Sequence, residues 1–208
     1  MLTTTLVEIK ACSPCKDMWK RLLKGLGVAR ANKNPLPIER ILEISDSCGV
    51  MWEDAVWALR AVKGHDGAIR LYACYCAEYV LDILERGYFD YEHGPREAIE
   101  TAKLFARGLA TSEDLTTARD FAEFAVLDAW ATWRATLAST KAAGDTKAAL
   151  AAWGAWDAAW QARTMVDPAS DAWNAQYDDF RREFLRLCRL EGEYGEIDVL
   201  HASFPSFS

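Results

Sequence analysis

The stretch AIRLYACYCAEYVLDIL, from Ala68 to Leu84, decides the fold of this protein. Its apolar residues fall at nearly every angle around a helix, and not along one stripe. A helix that is apolar on most sides is packed on most sides. Tyr and Cys suit such a position because each is mostly apolar and carries one modest polar group. We therefore predict a central, buried helix over about residues 68–85.

The sequence on both sides of this segment predicts further helices. Ser13-Pro14 predicts a helix start, because Ser caps helices well and Pro fits the first turn. Gly27 ends that helix, and Thr111 with Asp114 resembles a capping box at the start of a long one. The other predicted helices begin near Pro37, cover 52–62, run from Pro95 to Gly108, and run from Asp167-Pro168 to about Arg189.

Together these elements predict an all-α protein. Because short turns join long helices, we expect a multi-helix bundle of antiparallel helical hairpins around the central buried helix. We divide the chain into an N-terminal helical subdomain over 1–110, an Ala- and Trp-rich long-helix subdomain over 111–190, and an acidic and aromatic tail over 191–208.

The Ala-rich region contains a tryptophan stripe. Small side chains let two helix backbones approach closely. Trp153, Trp156 and Trp160 follow one another at i, i+3 and i+7, which places them on one helix face. We interpret this stripe as the seam of a helical hairpin; an exposed aromatic binding surface is the alternative.

Composition excludes several classes of protein. With 208 residues, 51% hydrophobic and 26% charged, the chain is long and apolar enough to fold without a metal or disulfide, and global disorder is excluded. No run of about 18 apolar residues predicts a membrane span, and the first residues lack the features of a signal peptide. The six cysteines are then expected to be reduced thiols of a cytoplasmic protein.

Charge is unevenly distributed along the chain. Residues 1–40 hold eight Lys and Arg against three Asp and Glu, which leaves −12 for the rest of a chain whose net charge is −7. An acidic body argues against wrapping nucleic acid, so direct nucleic-acid binding is not expected. We interpret the basic stretch as the solvated face of an amphipathic helix. The alternative is a nucleic-acid surface formed by Lys16, Lys20, Arg21 and Lys24.

Two motifs suggest chemistry, and each has a simpler interpretation. Cys12 and Cys15 have C-x-x-C spacing, but no β pattern surrounds them and zinc would need two more ligands. The doublet His65-Asp66 is typical of metal-dependent phosphohydrolases, which need further His and Asp ligands. The simpler interpretation is that Asp66 caps the central helix. We expect no catalytic residue, metal or cofactor, and keep the phosphohydrolase as an alternative.

An aromatic and acidic loop is the candidate partner-binding site. Residues 87–94 read GYFDYEHG and connect two predicted helices. Such a loop can grip a basic partner through carboxylates and aromatic anchors, although an ordinary helix connection has the same composition. The residues that we select as partner-binding are Tyr88, Asp90, Tyr91 and Glu92.

Several stretches in order resemble a known helical family. They are Lys10–Ser13 running to Trp19, Trp52–Val62, Ile69–Glu78, Pro95–Glu100 followed by Ala106–Gly108, and the Ala-rich helix pair. Over roughly residues 8–160 this order resembles the immunity proteins of phage genomes and bacterial toxin loci, in the immunity-protein-5-like group.

The resemblance implies a non-catalytic, all-helical protein that binds and neutralises another protein. In a toxin locus the partner is a toxin; in a phage it is a host defence effector. We expect steric blocking of a basic nuclease or nucleic-acid-binding protein. The Trp-rich hairpin and the tail depart from the family pattern, which leaves the partner open, and a homodimer is a further alternative.

Overall fold

A computed structural model describes most of the helical body of the chain. The described residues are 1–48, 52–86, 94–124 and 172–197, together with positions 142, 148, 150–152, 154–155 and 157–158. These residues are mostly helical, with one short sheet, and this confirms the all-α prediction. The arrangement as a bundle of antiparallel hairpins stays a prediction.

The elements within these residues follow one another in a simple order. The helices are α1 Leu6–Ala11, α2 Lys16–Gly25, α3 Ile38–Cys48, α4 Trp52–Ala58, α5 Asp66–Arg86, α6 Gly94–Ala106, α7 Ser112–Phe124, α8 Ala172–Arg189 and a short α9 at 193–197. A 3₁₀ turn at Leu59–Ala61 continues α4, and the strands are β1 Thr3–Thr5 and β2 Pro35–Pro37.

Helix α5 is the buried element that its composition predicts. From Gly67 to Ala77 every residue is buried except Tyr75, which is half-buried. It packs mainly against α6, and α8 also contacts it. Its bounds agree with the predicted 68–85. A helix with apolar residues on most sides has to be covered by other elements on several sides, and this explains its burial.

The two strands were not predicted. They pair antiparallel, with Thr3 opposite Pro37 and Thr5 opposite Pro35. Three-residue strands are too short to show an alternating pattern, and prolines are tolerated here because the sheet has only edge strands. The Leu2 N–H donates to the Cys188 carbonyl across 2.7 Å, so the start of the chain is tied to the end of α8.

Several local stop and start signals act as predicted, but the predicted start of α2 does not. Gly27 ends α2 with a φ of 66°. Ser13, however, does not cap this helix: α2 begins at Lys16, and the Cys15 sulfur accepts the Met18 N–H at 3.4 Å. Ser13 instead has a φ of 57° and donates its N–H to the Lys10 carbonyl, so it terminates α1.

The core is one cluster that joins the first and last described elements, from Leu2 to Ile197. The buried alanines of the Ala-rich region are Ala142, Ala148, Ala151, Ala152, Ala155 and Ala158. The predicted stripe of Trp153, Trp156 and Trp160 lies outside the described residues. The segment that we assigned to the start of the tail forms α9 and buries Tyr194 completely. The domain boundaries stay predictions.

In the described part of the chain, no helix combines the length and the apolar character that a membrane crossing requires.

Candidate functional site

A surface groove of about 350 Å³ lies between α6 and α7. Its lining residues are Glu97, Thr101, Asp114, Thr117 and Ala118. The lining therefore combines two carboxylates and two hydroxyls with the methyl groups of the two threonines and Ala118. Such a lining offers acceptors to cationic or hydrogen-bond-donating groups of a partner.

Local sequence signals place the two helices side by side. Gly108 has a φ of 71°, which turns the chain directly after α6. The Asp114 carboxylate accepts the Thr111 N–H at 2.8 Å, and the Thr111 hydroxyl accepts the Asp114 N–H at 3.1 Å. This reciprocal pair is the predicted capping box, and it starts α7 after a connection of only five residues from α6. Buried Ala98 and Ala102 let α6 lie close to its neighbours.

Carboxylates in and near the groove have no ion pair within the described residues. Glu97 and, on the first turn of α7, Glu113 are exposed and have no ion pair within the described part of the chain. The hydrogen bonds from the backbone N–H and hydroxyl of Thr111 lower the pKa of Asp114, so this carboxylate stays ionised at neutral pH.

The lysine and one arginine of α6 are engaged elsewhere. Lys103 binds Glu78 and lies 3.1 Å from Glu100, while Arg107 lies 3.3 Å from Glu193. These pairs leave neither Lys103 nor Arg107 to neutralise the groove.

Two exposed leucines lie beyond the Thr101 end of the groove. Leu104 follows Glu97 by seven residues on α6 and therefore lies on the same face of the helix. It is 43% exposed, and Leu109 in the turn before α7 is 71% exposed. The Leu109 N–H donates to the Leu104 carbonyl at 2.9 Å, which holds the two residues together. The acidic groove is thus continued by an apolar pair.

The structure does not test the predicted partner-binding residues. Tyr88, Asp90, Tyr91 and Glu92 are outside the described residues. In the sequence they shortly precede α6, which begins at Gly94 and carries Glu97 in its first turn. Sequence reasoning missed the groove because its two carboxylates belong to different helices. The available signal was that each is an acid in the first turn of its helix.

The phosphohydrolase doublet lies at the start of α5. Asp66 is exposed and is the first helical residue, so our prediction that it caps this helix is wrong. The cap position is His65, which is half-buried and whose carbonyl accepts the Ile69 N–H at 3.0 Å. Asp66 instead suits the positive end of the helix dipole. Within the described ranges, no three His, Cys, Asp or Glu side chains are grouped so that they could hold a metal ion.

The cysteines that the structure describes are free thiols. Cys12 donates to the Arg60 carbonyl at 3.3 Å, and Cys15 caps α2. On α5, burial raises the pKa of Cys74 to about 12 and also raises the pKa of Cys76. Both α5 thiols therefore stay protonated at neutral pH and act as small apolar groups.

One buried cation was also missed from the sequence. Arg70 is 2% exposed, and its Nη1 donates to the Ala142 carbonyl at 2.8 Å. Its guanidinium lies 5.1 Å from the centre of the Phe105 ring. These contacts tie α5 to the Ala-rich region and to α6. The signal was present, since Arg70 is a charged residue inside an otherwise apolar run.

No family model, characterised protein or solved structure matches this chain. The similarity to the immunity-protein-5-like group stays a prediction that rests on the residues quoted for it.

Proposed function

We propose that this protein is a non-catalytic inhibitor of the immunity or phage anti-defence kind. It binds a basic nuclease or nucleic-acid-binding protein in the cytoplasm and blocks its active face sterically. The observation that carries this proposal is the groove between α6 and α7, which Glu97 and Asp114 line, together with the exposed Leu104 on α6 and Leu109 in the turn that follows.

Each part of this surface has a role in binding. The carboxylates attract a positively charged partner and orient it during the encounter. Leu109 provides apolar area that is removed from water when the partner docks. Because both helices are packed against a rigid core, little conformational entropy is lost on binding.

The loop of residues 88–92 extends the proposed surface. It adds two tyrosines and two further carboxylates to the chain just before α6. Tyrosines are frequent binding hot spots because they bury a large area with few rotatable bonds. We therefore assign Tyr88 and Tyr91 as anchors, with Asp90 and Glu92 as part of the acidic rim.

The experiment measures inhibition and binding of a panel of basic ribonucleases and deoxyribonucleases, at low salt and at about 0.3 M salt, where charges are strongly screened. We expect Glu97→Lys to slow association and to raise Kd by about tenfold or more. The matched control is Glu196→Lys, because Glu196 is also exposed and has no ion pair in the described residues. It should leave the Kd within about twofold.

Three outcomes would overturn the proposal. They are no binding to any basic nuclease at low salt, equal effects of the two Lys variants, and an affinity that salt does not change. Stoichiometric metal in the purified protein, lost in His65→Ala, would instead support the phosphohydrolase alternative.

A further inference from the structure

Helix α2 carries three lysines on one face. Lys16, Lys20 and Lys24 are all exposed and follow one another at intervals of four residues. A helix rises about 1.5 Å per residue, so neighbouring lysines start about 6 Å apart along its axis. We call these three residues the α2 lysine face.

The rest of the helix keeps this face free of the core. Met18 and Leu22 are buried, and at about 100° per residue they lie on the side opposite the three lysines. The long lysine side chains therefore extend from the solvent side of α2.

The acids near the start of the chain are bound to other cations. Glu8 pairs with Lys63 at 2.9 Å, and Glu39 accepts the Arg189 Nε–H at 3.0 Å. Asp54 binds Arg21 at 2.9 Å, which also removes that arginine from the predicted basic set. Among the acids of residues 1–40, only Asp17 has no ion pair with a described residue. It is therefore the one acid in this segment that can offset the charge of the lysines.

We propose that the α2 lysine face binds the phosphodiester backbone of a nucleic acid. A regular row of ammonium groups suits a regular row of phosphates, and lysine acts on phosphate as a point charge. A membrane surface is a poorer fit, because the apolar side of α2 is packed in the core and cannot insert into lipid. This proposal does not rest on the proposed function, since it concerns a different helix and the opposite charge.

The acidic body does not prevent this contact. Nucleic-acid binding was not expected because the chain as a whole is acidic. At 0.1 M salt, exposed charges more than about 10 Å apart are largely screened from one another. The lysines are not screened from a phosphate that they touch. The α2 lysine face therefore determines whether nucleic acid binds, and the net charge of −7 only lowers the affinity.

The test is fluorescence anisotropy of labelled single-stranded and duplex DNA, each about 20 nucleotides long, over a range of salt. Three phosphate contacts predict a slope of log K against log salt of about −2 for the single strand and about −2.7 for the duplex. We expect the triple variant K16Q/K20Q/K24Q to flatten the slope and to lose at least about tenfold in affinity at low salt.

The matched control removes three other cations and so changes the net charge equally. In R40Q/R107Q/R182Q the replaced arginines are already paired with Glu43, Glu193 and Asp179. This variant should bind nearly as well as wild type. The proposal is overturned if wild type does not bind either DNA at low salt, if the two triple variants lose affinity equally, or if anionic phosphatidylserine vesicles are bound and DNA is not.

Discussion

The Tyr194 hydroxyl donates a hydrogen bond to Glu183 Oε1 across 2.8 Å inside the core. Arg186 Nη1 lies 3.1 and 2.9 Å from the two oxygens of the same carboxylate, and Glu183 as a residue is 8% exposed. Burial and the nearby carboxylate raise the pKa of Tyr194, so its hydroxyl remains a donor at physiological pH. This contact fastens α9 to α8.

Tyr194→Phe should therefore destabilise the protein. It removes a hydrogen bond to a buried carboxylate, and such bonds contribute about 1.5–3 kcal/mol. We expect the free energy of unfolding, measured in urea, to fall by about 2 kcal/mol. The control is Tyr75→Phe, because Tyr75 is half-buried and its hydroxyl makes no hydrogen bond in the described part of the chain. Equal losses in the two variants would contradict the role given to Tyr194.

Tyr72→Phe should have the opposite outcome. The Tyr72 hydroxyl is fully buried and makes no well-formed hydrogen bond among the described residues, where the Cys76 thiol, a weak acceptor, is its neighbour. Removing an unsatisfied buried hydroxyl removes a desolvation cost, and the ring keeps its edge-on contact with Phe184 at 5.5 Å. We expect unfolding in urea to require the same free energy or up to about 1 kcal/mol more. A clear loss of stability would show that the hydroxyl is satisfied.

Thr111→Ala should weaken α7 and change the titration of Asp114. Loss of a helix cap costs about 1 kcal/mol. The variant also removes one of the two hydrogen bonds that lower the pKa of Asp114, so this pKa should rise part of the way to its ordinary value, as followed by NMR. Thr117→Ala is the control, since Thr117 lies inside α7 and is exposed.

The sign of the linked pH effect follows from that lowered pKa. A carboxyl whose pKa is lower in the folded state stabilises the fold above its unfolded pKa, and this contribution is lost as the pH falls through the folded pKa. Thr111→Ala should therefore show a smaller loss of stability on acidification than wild type. An unchanged Asp114 pKa would contradict the capping-box assignment.

The described thiols should differ in reactivity. Cys15 is exposed and Cys12 half-buried, whereas Cys74, Cys76 and Cys188 are buried. Because burial raises the pKa of Cys74 to about 12, its reactive thiolate is scarce at pH 8. In native protein carrying Cys48→Ser, a thiol reagent followed by peptide mapping should label Cys12 and Cys15 first. Labelling of Cys74 as fast as Cys15 would show that α5 is not protected.

Signals carried by neighbouring residues were predictable. Gly27, Gly108 and the Thr111–Asp114 pair act through backbone conformation and hydrogen bonds that span a few residues. Ser13 was misassigned because the same residue can end one helix or begin the next, and this depends on where α1 stops. Residues 88–92 were also selected from a short stretch of sequence, and their role remains a prediction.

By itself, the sequence determined that the chain is helical and that the segment around Tyr75 is covered on most sides, because both follow from periodicity and apolar content. Only the tertiary structure decided which charges remain available. Arg21 is neutralised by Asp54, 33 residues away, and Glu39 by Arg189, 150 residues away. Such pairs form when distant elements pack together. The acidic groove and the α2 lysine face are therefore properties of the fold.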